Sequence, residues 1–281
     1  MNAPAFSAEH VATQVAALQA VLHEISRVAV AVSGGVDSLT LGIVAHKTLG
    51  PGAAMFHAVS PAVPEEATRR TRELAGREHW DLTVIDAGEF ERDEYMRNPL
   101  DRCFYCKTSL YGAIRPHTSA QIVAGTNLDD LGEYRPGLLA AKEHGVRHPM
   151  VEARIDKRGV RAIAKHLGLE GLAELPASPC LSSRIETGIA IDPVVLASVH
   201  DAERLVSLAL RPKTVRCRVR GQAVVIELDE AALEPLSEER RRALAEQVRA
   251  LFESTSSAGK PISFATYRVG SAFLHPIQLV R

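Results

Sequence analysis

The sequence predicts an α/β protein in which a parallel sheet with flanking helices is followed by a smaller α+β domain. The first observation is an apolar run at 27–32 that passes through two glycines into a segment able to continue as a helix at 39–45. The second is that short apolar runs alternate with helical patterns through the first half of the chain, which is typical of a parallel sheet. The third is a hairpin pattern beside a charged amphipathic helix near the end of the chain.

The elements of the first half follow from these patterns in order. Residues 7–25 place apolar side chains on one helical stripe, and Ser7 is the expected N-cap. The predicted strands are short apolar runs at 27–32, 53–59, 82–85 and 121–124. The predicted helices lie at 39–45, at 64–78, from 137 to about 144 and at 156–167.

The second half of the sequence predicts a mixture of helices and a β-hairpin instead of alternating strands and helices. Asp192 followed by Pro193 is a strong helix start, because aspartate caps a helix and proline fits its first position. The remaining predicted elements are hairpin strands at 213–220 and 223–229, a helix at 237–251 and a last strand at 263–269. We therefore predict a nucleotide-binding domain over residues 1–188 and a smaller α+β domain for substrate binding or oligomerisation over residues 189–281.

Composition narrows the class of protein. A chain of 281 residues with 46% hydrophobic and 24% charged residues is typical of a globular protein with a full core. Its formal charge of −1 gives no global sign of nucleic-acid affinity. No apolar run is long enough for a membrane span or a secretory signal, so we expect a cytoplasmic protein without a membrane partner. Four cysteines are too few for a secreted disulfide framework and indicate metal ligands or reactive thiols.

Residues 33–38, SGGVDS, connect the first strand to its helix. At such a turn the N–H groups of the first helical turn and the helix dipole favour a phosphate, and glycine lets the backbone approach it. The segment resembles the PP-loop of the ATP pyrophosphatases, which split ATP into AMP and pyrophosphate to adenylate a substrate. The alternative is an ordinary turn in which Asp37 or Ser38 caps the helix.

The PP-loop resemblance implies an adenine nucleotide alpha hydrolase-like fold and an ATP site. Ligands of parallel sheets collect at the carboxyl ends of the strands, so Ser60 is a candidate to contact adenine. Asp37 is the candidate catalytic residue of the loop. The expected ATP-binding residues are Ser33, Gly34, Gly35, Asp37, Ser38, Ser60 and Gly125.

Asp129 and Asp130 follow the fourth predicted strand in the segment GTNLDDLGEYRPG. Carboxylates are hard oxygen ligands, so this pair is a possible Mg²⁺ site beside the nucleotide. The alternative is that both residues cap the next helix.

The cysteines fall into two groups. Cys103 and Cys106 form a C-x-x-C and would share one face if their segment is helical. Cys180 precedes a Ser-Ser-Arg segment that could hold an anion. Cys217 alternates in phase with Val215 and is predicted to lie in the core. Taken alone, the C-x-x-C could be a redox pair, half a zinc site or two buried thiols. Three ligand-like cysteines favour a [4Fe–4S] cluster with one open iron over a four-ligand zinc site.

The arginines of the hairpin point away from Cys217. Arg216, Arg218 and Arg220 share the other face of the predicted strand 213–220. This face is either a solvated strand surface or a site for phosphate or carboxylate.

Five motifs in order, SGGVDS, DRCFYCK, GTNLDDLGEYRPG, PCLSSR and VRCRV, resemble the LarE family of ATP-dependent sulfur transferases. The resemblance implies adenylation of a carboxylate of pyridinium-3,5-biscarboxylic acid mononucleotide and its conversion to a thiocarboxylate, on the way to the nickel-pincer nucleotide. Cys180 matches the sulfur-donating cysteine, and the C-x-x-C resembles the branch that binds a [4Fe–4S] cluster through Cys103, Cys106 and Cys180. By the same resemblance, the substrate phosphate would meet Lys107, Arg184, Arg216 and Arg218.

Three other functions compete with this interpretation. A tRNA thiolase also combines a PP-loop with cysteines, but it needs a basic docking surface that the charge does not indicate. An amidating PP-loop synthetase would have no need of the three cysteines. A zinc-stabilised nucleotide-binding module would bind ATP without cleaving it. We expect ATP, Mg²⁺ and a [4Fe–4S] cluster as cofactors, no nucleic-acid partner, and a homo-oligomer.

Overall fold

The computed structural model describes residues 6–132, 135–176 and 179–273. The chain forms two compact units. The first contains Met1–Ser60, Glu65–Glu89 and Cys103–Ser178, and the second contains Pro61–Pro64, Phe90–Arg102 and Pro179–Arg281. The second unit thus includes two short segments from the first half of the chain, so the units are not contiguous in sequence. The functional division at residues 188 and 189 stays a prediction.

The strands of the first unit are β1 (Val28–Ala31), β2 (Ala53–Val59), β3 (Asp81–Asp86) and β4 (Gln121–Ala124). They pair in the order β3-β2-β1-β4, and every pairing is parallel. This confirms the predicted fold class, a parallel sheet flanked by helices with a smaller second part. The β-branched and small residues of β1 are buried along its whole length, as expected for a strand covered on both faces.

The helices of the described residues lie, in chain order, at α1 (Ala8–Ile25), α2 (Val36–Leu49), α3 (Glu65–Glu78), α4 (Asp93–Met96), α5 (Arg102–Ile114), α6 (Pro136–Glu143), α7 (Pro149–Glu152), α8 (Lys157–His166), α9 (Glu170–Ala173), α10 (Pro193–Leu210), α11 (Glu230–Leu233) and α12 (Glu238–Phe252). The one-turn helices α4, α7, α9 and α11 were not predicted, because four residues show no periodicity. Ser7 caps α1 and Asp156 caps α8 through side-chain hydrogen bonds. None of the described helices is long and apolar enough to cross a membrane.

The alternating side chains of β1 enter two separate cores. Val28 and Val30 join a cluster that includes residues of α1, α2 and α8. Ala29 and Ala31 join a second cluster with Tyr111 and other residues of α5. Because strand side chains alternate between faces, α5 and its C-x-x-C belong to the face of the sheet opposite α2.

The second unit contains a three-stranded sheet of β5 (Val215–Val219), β6 (Val224–Leu228) and β7 (Ile262–Thr266). β5 and β6 form the predicted antiparallel hairpin, and β7 pairs with β6 in parallel. The Asp192 side chain accepts a hydrogen bond from the Val194 N–H, so the predicted start of α10 is confirmed. The last strand ends at Thr266 and not at residue 269 as predicted.

Candidate functional site

Residues 33–38 join the carboxyl end of β1 to α2. Gly35 is the N-cap of α2 and contributes no side-chain cap. The Ser38 hydroxyl accepts a hydrogen bond from the Ser33 N–H at 2.9 Å and donates one to the Gly35 carbonyl at 3.2 Å, which closes the loop on itself. The first N–H groups of a helix have no partners within it, and they lie at the positive end of its dipole. The loop therefore has the arrangement that binds a phosphate.

Two glycines of the candidate site are required by packing. Gly34 has φ +79°, and a Cβ there would lie 2.5 Å from the Ala67 carbonyl oxygen of α3. A Cβ on Gly125, which follows β4, would lie 2.7 Å from the Ser38 backbone nitrogen. Gly35 differs, because its Cβ would meet a serine hydroxyl oxygen at 3.6 Å as its nearest neighbour. A Cβ at position 35 therefore fits within the protein without displacing a neighbour.

The Asp37 carboxylate lies in the first turn of α2 and is held from two sides. Its Oδ2 atom forms an ion pair with the Lys157 Nζ at 2.5 Å. Its Oδ1 atom accepts a hydrogen bond from the Asn127 Nδ2 at 3.1 Å. Sequence reasoning missed Lys157, because 120 positions separate it from Asp37 and no local pattern records the contact. Asn127 stands within the GTNLDD segment and could have been considered with it.

Asp129 and Asp130 lie in a 3-10 turn, Leu128–Gly132, and both have internal partners. The Asp129 Oδ2 accepts a hydrogen bond from the Lys157 backbone N–H at 3.0 Å. The Asp130 Oδ2 accepts one from the Asn127 N–H at 3.0 Å, and its Oδ1 lies 2.8 Å from the Arg135 Nη2. Asp129 thus helps to begin α8, which agrees in part with the capping alternative. Because both oxygens of Asp130 are engaged, Asp129 is the better placed of the two to bind a metal ion.

Two further side chains support the loop from neighbouring elements. The Arg70 Nε of α3 donates a hydrogen bond to the Gly34 carbonyl at 3.1 Å, which places a second cation beside the loop. His57 of β2 is fully buried. Its Nδ1 lies 2.8 Å from the Val32 carbonyl oxygen and its Nε2 lies 2.9 Å from the Thr68 hydroxyl. Burial lowers the pKa of His57, so the neutral ring ties the end of β1 to α3.

The remaining candidate of the ATP site is Ser60, which directly follows β2. The three parallel strands β1, β2 and β4 end at one edge of the sheet. Residues 33–38, Ser60 and Gly125 therefore all follow strands at the same edge, where ligands of such sheets bind.

The C-x-x-C lies in the first two turns of α5. Cys103 and Cys106 are both half-buried, and their separation places them on one face of the helix. Lys107 follows them, and a Cβ at Gly137 of α6 would come within 3.1 Å of its Cγ. Burial raises the pKa of Tyr111, one turn further along, while the charge of Lys107 opposes the rise. Lys107 therefore lies within electrostatic range of Tyr111 on the helix that carries the two thiols.

Cys180 is exposed and stands immediately before a 3-10 turn, Leu181–Arg184. Its carbonyl oxygen accepts hydrogen bonds from the Ser183 N–H at 3.0 Å and the Arg184 Nη1 at 3.0 Å. The first N–H of the turn donates to the Ala62 carbonyl at 2.8 Å. The backbone at Cys180 is therefore fixed, while its thiol faces solvent.

Arg184 is buried, with its side chain 2% exposed. Its guanidinium forms a forked pair with Glu203 of α10, at 2.9 Å from Nε to Oε1 and 3.1 Å from Nη2 to Oε2. The same Oε1 accepts a hydrogen bond from the Cys217 N–H at 2.9 Å. Sequence reasoning missed Glu203, which links the Cys180 turn to β5 and has no local motif. Arg184 therefore has internal partners, and they account for much of its donor capacity.

The arginines of β5 require a correction. A solvated strand surface is one of the two alternatives that the sequence allows for their face, yet Arg216 is 9% exposed and Arg218 is 3% exposed. The Arg218 Nε pairs with Glu227 of β6 at 3.1 Å, and its Nη1 donates to the Ser183 carbonyl at 2.9 Å. The Arg216 Nη1 donates to the Val215 carbonyl at 2.6 Å. β5 is buried on both faces, so alternation located the two faces correctly but could not show that both are covered.

Cys217 is fully buried on β5, as predicted for a core residue. Burial raises the pKa of its thiol well above the ordinary value, which keeps the thiol neutral and unsuited to bind a metal ion. Over residues 6–132, 135–176 and 179–273, no three His, Cys, Asp or Glu side chains form a group that could hold a metal ion. Cys103 and Cys106 belong to the first unit, and Cys180 belongs to the second.

Comparison with known proteins gives three informative relatives, while no protein-family model matches the chain. An uncharacterized protein of Synechocystis sp. is 39% identical over 187 residues, covering 64% of this chain and 68% of the relative. The pyridinium-3,5-bisthiocarboxylic acid mononucleotide synthase of Lactiplantibacillus plantarum is 32% identical over 227 residues, covering 79% of this chain and 82% of the synthase. An uncharacterized protein of Methanocaldococcus jannaschii is 26% identical over 208 residues, covering 73% of this chain and 78% of the relative.

Proposed function

The chain belongs to the LarE family, the family of the pyridinium-3,5-bisthiocarboxylic acid mononucleotide synthase, and from this membership we propose that it is an ATP-dependent sulfur transferase. The proposed substrate is pyridinium-3,5-biscarboxylic acid mononucleotide, one carboxylate of which becomes a thiocarboxylate on the way to the nickel-pincer nucleotide. The proposal rests on one observation: the synthase of Lactiplantibacillus plantarum is 32% identical to this chain over 79% of this chain's length.

The first proposed step is adenylation. A carboxylate is a poor acyl electrophile, so its oxygen must first become part of a leaving group. Attack of the substrate carboxylate on the α-phosphate of ATP forms an acyl-adenylate and releases pyrophosphate. The closed loop at residues 33–38 supports this step, because its helix N-terminus would stabilise the charge that develops on the phosphates.

Mg²⁺ is the proposed metal of the adenylation step. Asp37 and Asp129 offer hard carboxylate oxygens, which are the donors that Mg²⁺ prefers, so the donor set fits the ion. Asp130, which the sequence pairs with Asp129, has its two oxygens engaged by Asn127 and Arg135. The oxygens of Asp37 are engaged by Lys157 and Asn127, so Asp37 would bind the metal when the Lys157 ammonium leaves it. When bound, Mg²⁺ would neutralise phosphate charge. Asp37 would orient the metal from the first turn of α2.

Cys103, Cys106 and Cys180 are the proposed ligands of a [4Fe–4S] cluster. The donor chemistry fits, because thiolates bind such clusters and the buried, neutral Cys217 is unsuited to do so. When bound, the cluster would supply an iron position that no protein side chain occupies. Cys180 itself is the alternative sulfur donor: its fixed carbonyl and exposed thiol hold a nucleophile ready to attack the acyl carbon as AMP leaves.

Lys107, Arg184, Arg216 and Arg218 are the proposed contacts of the substrate phosphate, and their surroundings separate them into two roles. Arg184 and Arg218 donate to the carbonyl oxygens of Cys180 and Ser183, so we assign them mainly to positioning the Cys180 turn. Arg216 is a better candidate for direct contact. Burial lowers its pKa and the neighbouring charge of Arg184 lowers it further, and an anion bound beside it would relieve both effects.

The test is an anaerobic reaction of the purified protein with ATP, Mg²⁺, the pyridinium biscarboxylate mononucleotide and sulfide. We expect AMP and pyrophosphate in equal amounts, formed only when the mononucleotide is present, and a product whose mass shows sulfur in place of oxygen. Incorporation of ammonia would identify an amidating enzyme, and release of AMP only with tRNA would identify a tRNA thiolase. Binding of ATP without cleavage in every mixture would contradict an enzymatic role.

We further propose that the enzyme acts in the cytoplasm as a homo-oligomer on this small molecule, without a nucleic-acid partner. The near-neutral formal charge of −1 and the small number of cysteines support this setting. Sedimentation of the purified protein would measure its oligomeric state.

A further inference from the structure

We propose that Lys157 is a further residue of the ATP site, which neutralises Asp37 as the nucleotide approaches and then binds the pyrophosphate end of ATP. This inference rests on the proposed adenylating function. It starts from the 2.5 Å ion pair between the Lys157 Nζ and the Asp37 Oδ2, at the first turn of α2. The ammonium group therefore stands at the same helix N-terminus that is proposed to receive the phosphates.

Charge gives the physical reason for a lysine at this position. ATP carries several negative charges on its phosphates, and Asp37 adds another in the loop that must receive them. An unpaired carboxylate there would repel the nucleotide. Lys157 cancels that charge, and Arg70 adds a second cation at the Gly34 carbonyl. With Asp37 holding Mg²⁺, the Lys157 ammonium would be available to the phosphates.

The backbone at Lys157 is fixed while its side chain can change partner. Lys157 is the first residue of α8, directly after the N-cap Asp156, whose side chain accepts from the Gly159 N–H at 2.7 Å. Its own N–H donates to the Asp129 Oδ2 at 3.0 Å. Its side chain remains 32% exposed, so the ammonium can move between the carboxylate and a nearby phosphate without movement of α8. Lysine suits this role, because its ammonium is a point charge on a flexible stem.

The experiment measures binding of three probes, MgATP, inorganic pyrophosphate with Mg²⁺, and AMP, by calorimetry without the mononucleotide. For Lys157→Gln we expect MgATP and pyrophosphate to bind about tenfold to a hundredfold more weakly, which is the effect of losing one charge-assisted contact. AMP binding should stay within about twofold, because AMP lacks the phosphates that Lys157 would contact. Lys157→Arg should recover most of the pyrophosphate affinity, because it keeps the charge.

Lys165→Gln is the matched control, since Lys165 lies on the same helix in an exposed pair with Glu174 at 3.5 Å. It should bind all three probes as the wild-type protein does. Equal loss of AMP and pyrophosphate binding in Lys157→Gln, or no loss of either, would overturn the inference. If Asp37→Ala abolishes pyrophosphate release while Lys157→Gln binds pyrophosphate normally, this inference fails and the proposed function stands. If Asp37→Ala releases pyrophosphate at the wild-type rate, the proposed function itself fails.

Discussion

Gly34 and Gly35 are neighbours in the loop at residues 33–38, yet substitution should affect them in opposite ways. Gly35→Val should abolish adenylation and leave the fold intact, because its Cβ has room within the protein but would stand where a phosphate approaches. Gly34→Ala should destabilise the protein, because its Cβ would overlap the Ala67 carbonyl oxygen at a φ of +79°. Substrate-dependent pyrophosphate release and thermal unfolding measure the two effects.

Asp37→Ala is the companion variant, since it removes one of the two proposed Mg²⁺ ligands. It should also abolish pyrophosphate release without unfolding the protein. Full release rates in both Gly35→Val and Asp37→Ala would place the nucleotide elsewhere.

Arg216 and Arg218 are two positions apart on β5, and substituting them should also have different effects. Arg218→Ala leaves Glu227, whose side chain is 2% exposed, without one of its two arginine partners. The loss of a buried partner should lower the free energy of unfolding by about 3–5 kcal/mol. Arg216→Ala should instead weaken binding of the mononucleotide by about 1.5–3 kcal/mol, the worth of a charge-assisted hydrogen bond.

Urea unfolding and calorimetric titration with the mononucleotide measure these two quantities. Unchanged mononucleotide affinity in Arg216→Ala would remove that residue from the substrate site. Unchanged stability in Arg218→Ala would show that Arg220 alone compensates the charge of Glu227.

The loop at 33–38 could be predicted from the sequence, because its glycines, its serines and Asp37 lie within six consecutive positions. The ion pair of Asp37 with Lys157 could not be predicted from the sequence, because the fold alone brings α8 next to the start of α2. Alternation on β5 correctly separated Cys217 from the arginines. Their burial depends on which elements cover the second face, and no periodicity within one strand contains that information.

His57 of β2 connects β1 to α3, and this contact makes the free energy of unfolding depend on pH. Burial lowers the pKa of His57 below its ordinary value of 6.5, so the unfolded chain binds a proton more readily than the folded protein. Its contribution to stability is therefore complete above about pH 6.5 and is lost as the pH falls toward the lowered pKa. We expect the free energy of unfolding to decrease on acidification below pH 6.5, and to decrease less in His57→Gln.

Urea unfolding over a series of pH values measures this dependence. His166→Gln is the control, because the His166 side chain is exposed at the end of α8. It should keep the wild-type dependence. Burial lowers the pKa of His148 as well, so some dependence should remain in His57→Gln. Identical curves for the wild type and His57→Gln would contradict the assignment.

The residues of the proposed chemistry are divided between the two compact units. The loop at 33–38, Lys157 and the C-x-x-C belong to the first unit, while Cys180 and the buried arginines belong to the second. In the first unit the short, apolar strands of a parallel sheet made the fold readable. In the second, Glu203 pairs with an arginine 19 positions away and Glu227 pairs with one 9 positions away on the facing hairpin strand. No local motif marks either pair, so the sequence could indicate the elements but not their polar interior.

The source of the transferred sulfur distinguishes two mechanisms for the proposed reaction. If Cys103, Cys106 and Cys180 hold a cluster, sulfide supplied from solution can be replaced after each reaction, and one chain should form many products. If Cys180 gives up its own sulfur, each chain can act once, and its mass should fall by one hydrogen sulfide as dehydroalanine forms. The C-x-x-C favours the first outcome, because a purely sacrificial mechanism has no use for it.

Serine at any of the three positions should remove both iron and activity. Cys217→Ala should keep both, because that side chain is fully buried. Intact-protein mass and the number of products per chain, after anaerobic reaction with iron and sulfide, decide between the two sources. One product per chain with the matching loss of mass would contradict the cluster mechanism and would leave the proposed adenylation intact.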